Sequence, residues 1–172
     1  MKSPVASPPP RSNANPDADA VRRQIASRSF STIATASHAG IPHAAGVMYA
    51  YVDGVFYIST LRTSRKARNL ADTGHASLCI PVRRVPTGPP STVQIATTGQ
   101  ILDQDDPEIM ALVARGALNA ITAHGELEIP NGCFLRLTPR RHALTYGLGL
   151  PLRMLIRDPL NASGRVELQR AS

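Results

Sequence analysis

The chain has 172 residues, of which 42% are hydrophobic and 18% charged, enough for one domain with its own core and too apolar for a chain disordered throughout. Two cysteines, Cys79 and Cys133, exclude a disulfide or zinc framework. The formal charge of +7 points to an anionic partner, while 4% aromatics and no Trp leave few stacking platforms for single-stranded nucleic acid, so a small anionic molecule is expected and nucleic acid is not.

Residues 1–16 are rich in Pro, Ser and Asn and are expected to form a disordered tail ahead of one domain over residues 17–172. The opening segment has no apolar stretch suited to a signal peptide, and no window approaches the ~20 apolar residues of a membrane span. A soluble cytoplasmic protein with reduced core thiols is therefore the expectation, with no membrane partner. A helix is predicted from near Asp17 to near Arg28, with Asp17 and Asp19 at its first turn. Phe30–Ala36 reads as a short strand, 37–40 as a turn, and Pro42–Val52 as one longer strand closed by the hairpin signal Asp53-Gly54. Val55–Thr60 follows as a third strand, and this meander predicts an antiparallel sheet. Thr63 to Asp72 reads as a helix capped by Thr63 or Ser64, with Ala67, Leu70 and Ala71 on its apolar face.

His75–Val82 and Ser91–Leu102 are predicted strands on either side of a proline-rich loop that opens with Arg83 and Arg84. Asp105-Asp106-Pro107-Glu108 is a helix start, and a second short helix is expected over 117–123. Cys133–Leu137 and Arg141–Tyr146 read as two closing strands; beyond Gly147 the pattern gives no clear element. Five to seven β segments with inserted short helices amount to a mainly β, α+β protein, and close hairpins point to a small closed or nearly closed barrel.

The chemistry is concentrated where the third strand turns into the second helix. Ser59, Thr60, Thr63 and Ser64 supply hydroxyls, and Arg62, Arg65, Lys66 and Arg68 supply four cations within seven residues. Such a segment fits either a solvated basic helix start or a phosphate site, since a helix N-terminus offers unpaired N–H groups and a partial positive charge. Elsewhere the signals are weaker. His38 and His43 have no third ligand nearby, so no metal site is assigned. His142 beside Arg140-Arg141 is a candidate contact for an anionic substrate. No Ser-His-acid arrangement can be drawn, and no catalytic residue is named.

The order of these residues resembles the pyridoxamine 5′-phosphate oxidase-like superfamily, the FMN-binding split β-barrels. The resemblance rests on the strand ending Ile58-Ser59-Thr60, on Ser64-Arg65-Lys66 opening a helix, and on the strand His75–Val82. Val93-Gln94 with Gly99 five positions on from the glutamine completes it. It implies a split antiparallel β-barrel that is dimeric, with the cofactor at the subunit interface. It implies that Ser59, Thr60, Ser64, Arg65 and Lys66 lie at the flavin phosphate, Arg62 and Arg68 reinforcing them. It further implies that the backbone of Gly46, Val47 and Met48 runs along the ring and that Gln94 reaches the same cofactor, from the partner subunit if not from its own. The function implied is a flavin-dependent oxidoreductase passing hydride between FMN and a small-molecule substrate. The alternatives are a deazaflavin-dependent reductase and a non-catalytic flavin carrier. Authentic pyridoxamine phosphate oxidases carry an Arg and a Lys on the strand matching Ala44–Tyr51 and a Trp-containing closing motif; this chain has neither.

Overall fold

The structure, a computed structural model, describes residues 17–82, 91–148, 157–158 and 162–168. The predicted tail, Arg83 and Arg84 of the proline-rich loop, and most of the segment after Leu148 lie outside the described residues.

Helix α1 (Ala18–Ala26) is capped by Asp17, whose carboxylate accepts from the N–H groups of Asp19 and Ala20, and it buries Val21 and Ile25. Eight strands follow among the described residues: β1 (Phe30–Ala36), β2 (Pro42–Met48), β3 (Ala50–Val52), β4 (Val55–Leu61), β5 (His75–Val82), β6 (Ser91–Leu102), β7 (Gly132–Tyr146) and β8 (Ser163–Glu167). All their pairings are antiparallel, in the order β2-β1-β5-β6-β7-β4-β3 with β8 beside β7. This curled sheet is the split barrel expected. Helix α2 (Arg65–Thr73) sits between β4 and β5, and α3 (Pro107–Ala114), α4 (Asn119–Thr122) and a 3-10 turn (Glu126–Glu128) lie between β6 and β7.

Two departures from the predicted elements matter for the site. The single strand read over Pro42–Val52 is two strands, because Tyr49 turns inward between them. Its hydroxyl donates to the Ile25 carbonyl at 2.8 Å, its N–H donates to the Ser29 carbonyl at 2.7 Å, and its ring meets Phe56 edge-on at 5.2 Å. So β2 pairs with β1, and only β3 makes the Asp53-Gly54 hairpin with β4, both turn residues taking the positive φ that such a turn requires. The two closing strands are one: β7 runs unbroken for 15 residues through Pro139, where its register against β6 shifts between Ile95 and Thr97. Its first half pairs with β4 and its second with β8, a strand that the sequence pattern did not reveal.

The core has two parts. The larger fills the inside of the curl with residues such as Ile33, Phe56, Ile58, Leu78, Ile95 and Leu135, closed at one end by Val21 and Ile25 and at another by Ala67 and Leu70. The smaller lies on the opposite face of β4 and β7, where Tyr57 and Phe134 pack against Ile109, Leu112, Leu118 and Ile121 of the helical insertion. Strand β4 is thus buried on both faces, and residues at its C-terminal end come out between the two clusters.

Candidate functional site

Helix α2 is drawn against the sheet by three features. Ala67 and Leu70 enter the core. Asn69 is buried and donates to Thr35 Oγ1 at 3.1 Å, which satisfies both polar groups. Gly99 of β6 leaves room for the helix: a Cβ there would stand 2.5 Å from Leu137 Cδ2, 3.0 Å from Leu70 Cδ1 and 3.1 Å from the Arg136 carbonyl oxygen. The glycine that carried part of the resemblance therefore has a packing reason in this chain.

That seating aims the N-terminus of α2 at the mouth of β4. Of the two caps left open by the sequence, Ser64 is the one used; its Oγ accepts from the Ala67 N–H at 3.4 Å and lies 3.3 Å from Thr60 Oγ1. The amides of Arg65 and Lys66 precede the first intrahelical bond and point out of the helix end. The charge pattern here is unlike that of the other two long helices. Helices α1 and α3 carry Asp caps and Asp19 or Glu108 in the first turn, as the helix dipole favours. Helix α2 has no acid in its first turn and begins Arg-Lys-Ala-Arg. Each such cation at the positive end of a dipole is unfavourable by about 0.3–1 kcal/mol unless an anion is present.

Beside this helix end is a cavity of about 330 Å³. One wall is the Gly46–Met48 segment of β2, another is Ser59 of β4 with Lys66 of α2, and the far wall is Ala120, Ile121, His124 and Glu126 from the helical insertion. Five of the residues singled out from the sequence (Gly46, Val47, Met48, Ser59 and Lys66) thus share one hollow, although they come from three elements. Thr60 and Ser64 are next to it, and Arg65 is exposed on the helix. Gly46 is exposed, and a Cβ on it would press within 3.1 Å of the Phe30 ring, so the bare β2 backbone forms part of the cavity surface.

Not every predicted residue joins this group. Arg62 is ion-paired with Asp103 across the end of β6 and is not among the residues lining the cavity. Arg68 is exposed on α2, also away from the lining. Gln94 lies on the outer face of the sheet, directly opposite Leu144. That face holds a second, more open concavity of about 530 Å³, with Ala96 and Leu144 as its apolar floor and Arg140, His142 and Arg165 around it. Arg165 lies 3.1 Å from His142 Nδ1, and Arg141 pairs with Glu167 at 2.7 Å. The far wall of the first cavity was missed by the sequence reading. His124 and Glu126 follow a short helix with no side-chain cap and belong to no motif, so no local signal marks them.

Burial, first of all, pushes the thiols of half-buried Cys79 and of Cys133 in the core above the usual range, so both are neutral and poor nucleophiles. Among the described residues no three His, Cys, Asp or Glu side chains gather to hold a metal, and no helix is long and apolar enough to cross a membrane.

Comparison with known proteins agrees with this fold. The family model described as "Pyridoxamine 5'-phosphate oxidase" matches residues 18–146. No curated protein sequence matches the chain. The fold is similar to that of a heme binding protein from Mycobacterium smegmatis, with a TM-score of 0.65 at 23% identity over 78% of this chain and 55% of that one. This chain therefore spans about half the length of that relative. It is also similar to the heme storage protein of Vibrio cholerae (TM-score 0.66, 14% identity, 76% of this chain and 95% of that one). A third similar fold is an FAD-binding protein from Mesorhizobium loti (TM-score 0.58, 15% identity, 72% of this chain and 88% of that one).

Proposed function

The chain belongs to the pyridoxamine 5′-phosphate oxidase-like family, and from that membership we propose that it is a flavin-dependent oxidoreductase, cytoplasmic and dimeric, whose cofactor is FMN. The observation that carries this reading is the N-terminus of α2: cations, hydroxyls and free amides, with no acid in the first turn, open onto the same cavity as the bare backbone of β2. A phosphate at that end removes the conflict between the helix dipole and Arg65 and Lys66. The residues fit the group. Lys66, Ser59 and the α2 amides would hold the phosphate, with Thr60, Ser64 and Arg65 beside them, and Gly46, Val47 and Met48 would present backbone to the ring. The flavin, when bound, supplies two-electron transfer to or from a small substrate, and the protein supplies position and electrostatics. Val47, Ala120 and Ile121 would give the ring an apolar surround on that side.

Gln94 fits this reading from the partner subunit, since within one chain it faces the other side of the sheet. Pairing two chains through the Gln94 face would also cover Leu144, which is 54% exposed. Oxidation of pyridoxamine phosphate itself is not proposed, because β2 carries no Arg or Lys and the chain has no Trp. A second reading, a heme carrier on the same fold, is favoured by one feature, the imidazole of His124 in the cavity wall.

The test is the ligand. Protein purified under native conditions is expected to be yellow or to become so on titration with FMN, and mass spectrometry of the denatured protein should release FMN. The double variant Arg65→Gln/Lys66→Gln should lose retention. Release of a deazaflavin would keep the site and change the cofactor, and release of heme would favour the second reading. A protein that takes up none of these, or a double variant that retains FMN undiminished, would overturn the proposal.

A further inference from the structure

The cavity is chemically lopsided. At one end Lys66 has no ion-pair partner among the described residues; at the other stands Glu126, which makes no salt bridge to a Lys or Arg among them and has only the His124 imidazole as a nearby basic group. Two opposite charges share one hollow, and no salt bridge joins them. The wall bearing Glu126 is firmly built. Gln104 Nε2 donates to the Glu126 carbonyl at 2.8 Å and to the Ile129 carbonyl at 3.3 Å, tying the 126–129 stretch to the end of β6. Gly132 makes room for that amide, since a Cβ there would stand 2.3 Å from Gln104 Nε2 and 2.9 Å from the Ile129 carbonyl oxygen. Gly125 turns the chain with φ +84°, and Ile121 is anchored in the smaller core. The Glu126 carboxylate is itself oriented: Oε2 accepts from the His124 backbone N–H at 2.8 Å. Its pKa lies below the usual carboxylate range, chiefly through that bond and the Glu126 N–H, so it is anionic at neutral pH.

We propose that Glu126 is the specificity-determining residue of this cavity, accepting a hydrogen bond from a cationic or N–H-bearing group, of the amine or amidine class, on the organic substrate that shares the hollow with the flavin. The inference rests on the reading that the Lys66 end takes the flavin phosphate. With Lys66 engaged by that phosphate, the remaining surface offers a carboxylate, an imidazole and the apolar Ala120 and Ile121, and β2 adds no cation. A second carboxylate or phosphate arriving there would meet the Glu126 charge at close range, whereas an ammonium or amidinium would be paired by it.

Benzamidine and benzoate test this, being planar and of nearly equal size but opposite charge. FMN content is read first from visible absorbance, and each probe is then titrated calorimetrically into the full chain carrying FMN. The wild-type protein is expected to prefer benzamidine by roughly tenfold, the order of one charge-assisted hydrogen bond at a half-open site. Glu126→Gln should bring the ratio of the two affinities close to one; the ratio is the readout, so a loss common to both probes cancels. His124→Ala should keep the preference, because the bond that orients Glu126 comes from the backbone N–H, whereas His124→Pro should weaken it. A wild-type protein that binds benzoate as well as benzamidine, or a Glu126→Gln protein with an unchanged ratio, overturns the proposal. If the chain takes up no FMN, the flavin reading has failed separately. The same titrations on the protein as purified then decide the Glu126 assignment.

Discussion

Lys66 is one of only two lysines in the chain, and it is the cation of its helix that lines the cavity. Its neighbour Arg62 is only four residues away in sequence but is already engaged by Asp103. The two positions should therefore separate. Lys66→Gln is expected to weaken FMN binding by about tenfold or more, the scale of one hydrogen bond to a charged group. Arg62→Gln should change it by less than about threefold, in keeping with the small worth of an exposed ion pair. Fluorescence quenching of added FMN reads both; equal losses would mean that the helix contributes only general charge. Gly99 is the residue on which the seating of α2 depends. Gly99→Ala is expected to cost about 1–3 kcal/mol, because the new methyl meets a backbone carbonyl as well as two packed leucines. Urea unfolding measures it, and an unchanged midpoint would mean that the helix shifts freely. Neither role can be read from the sequence one residue at a time. The motif Ser64-Arg65-Lys66 identifies a basic helix start, but only the positions of Asp103 and Leu70 show that Arg62 is engaged elsewhere and why the glycine is needed.

At the scale of elements, a part-buried polar node joins the first helix of the insertion to the sheet. Tyr57 of β4 donates to Glu108 of α3, and Arg136 of β7 donates from Nε to the same carboxylate at 2.8 and 3.2 Å, and from a terminal nitrogen to Thr138 at 3.1 Å. Desolvation, with the Glu108 hydrogen bond second, pushes the Tyr57 hydroxyl up to about 12. Burial alone would raise the Glu108 carboxyl, but the bonds from Tyr57 and Arg136 outweigh it and leave the pKa below the usual carboxylate value. The signs follow by linkage. The depressed Glu108 contributes stability above its ordinary value of 4.5, and this is lost as the pH falls below that value. The raised Tyr57 contributes stability below its ordinary value of 10.0, and this is lost as the pH climbs toward about 12. Urea midpoints of the wild type should therefore fall at both ends. Glu108→Gln should be less stable at neutral pH and converge on the wild type in acid, and Tyr57→Phe should lack the Tyr57 contribution to the alkaline fall. A constant offset of Glu108→Gln across the acid range would mean that the node does not hold the insertion.

The elements themselves were largely legible. The bounds of β1, β5 and β6 follow from alternation and flanking turns, and all three long helices from their caps. What failed was continuity. The apolar run over 42–52 hid the inward turn at Tyr49, and Cys133–Leu137 and Arg141–Tyr146, read as two strands, are one strand that only shifts register.

For the whole molecule, the curled sheet leaves apolar side chains exposed on two faces. Phe30 and Met48 lie beside the cavity, 49% and 48% exposed, and Leu144 lies on the face that carries Gln94. If two copies meet through the Gln94 face to complete each other's flavin site, Leu144→Asp should shift the protein from dimer to monomer and weaken FMN binding at least about tenfold, since both effects arise from the same burial. Sedimentation velocity with and without FMN reads the first, and titration the second. A Leu144→Asp protein that is still dimeric, or monomeric with full affinity, would remove the partner from the site.

Composition, turn signals and one strand–turn–helix segment sufficed to place this chain in its family and to mark a helix end whose charge suits an anion, because those features are local: a cap, a dipole and adjacent cations are set by neighbouring residues. The far side of the cavity was decided by tertiary structure alone. His124 and Glu126 reach it only because the insertion packs Ile121 and Leu118 onto the outer face of β4 and β7, and because Gln104 ties the following turn to the end of β6. Contacts between residues so distant in sequence depend on how the sheet curls, and no local pattern encodes that curvature.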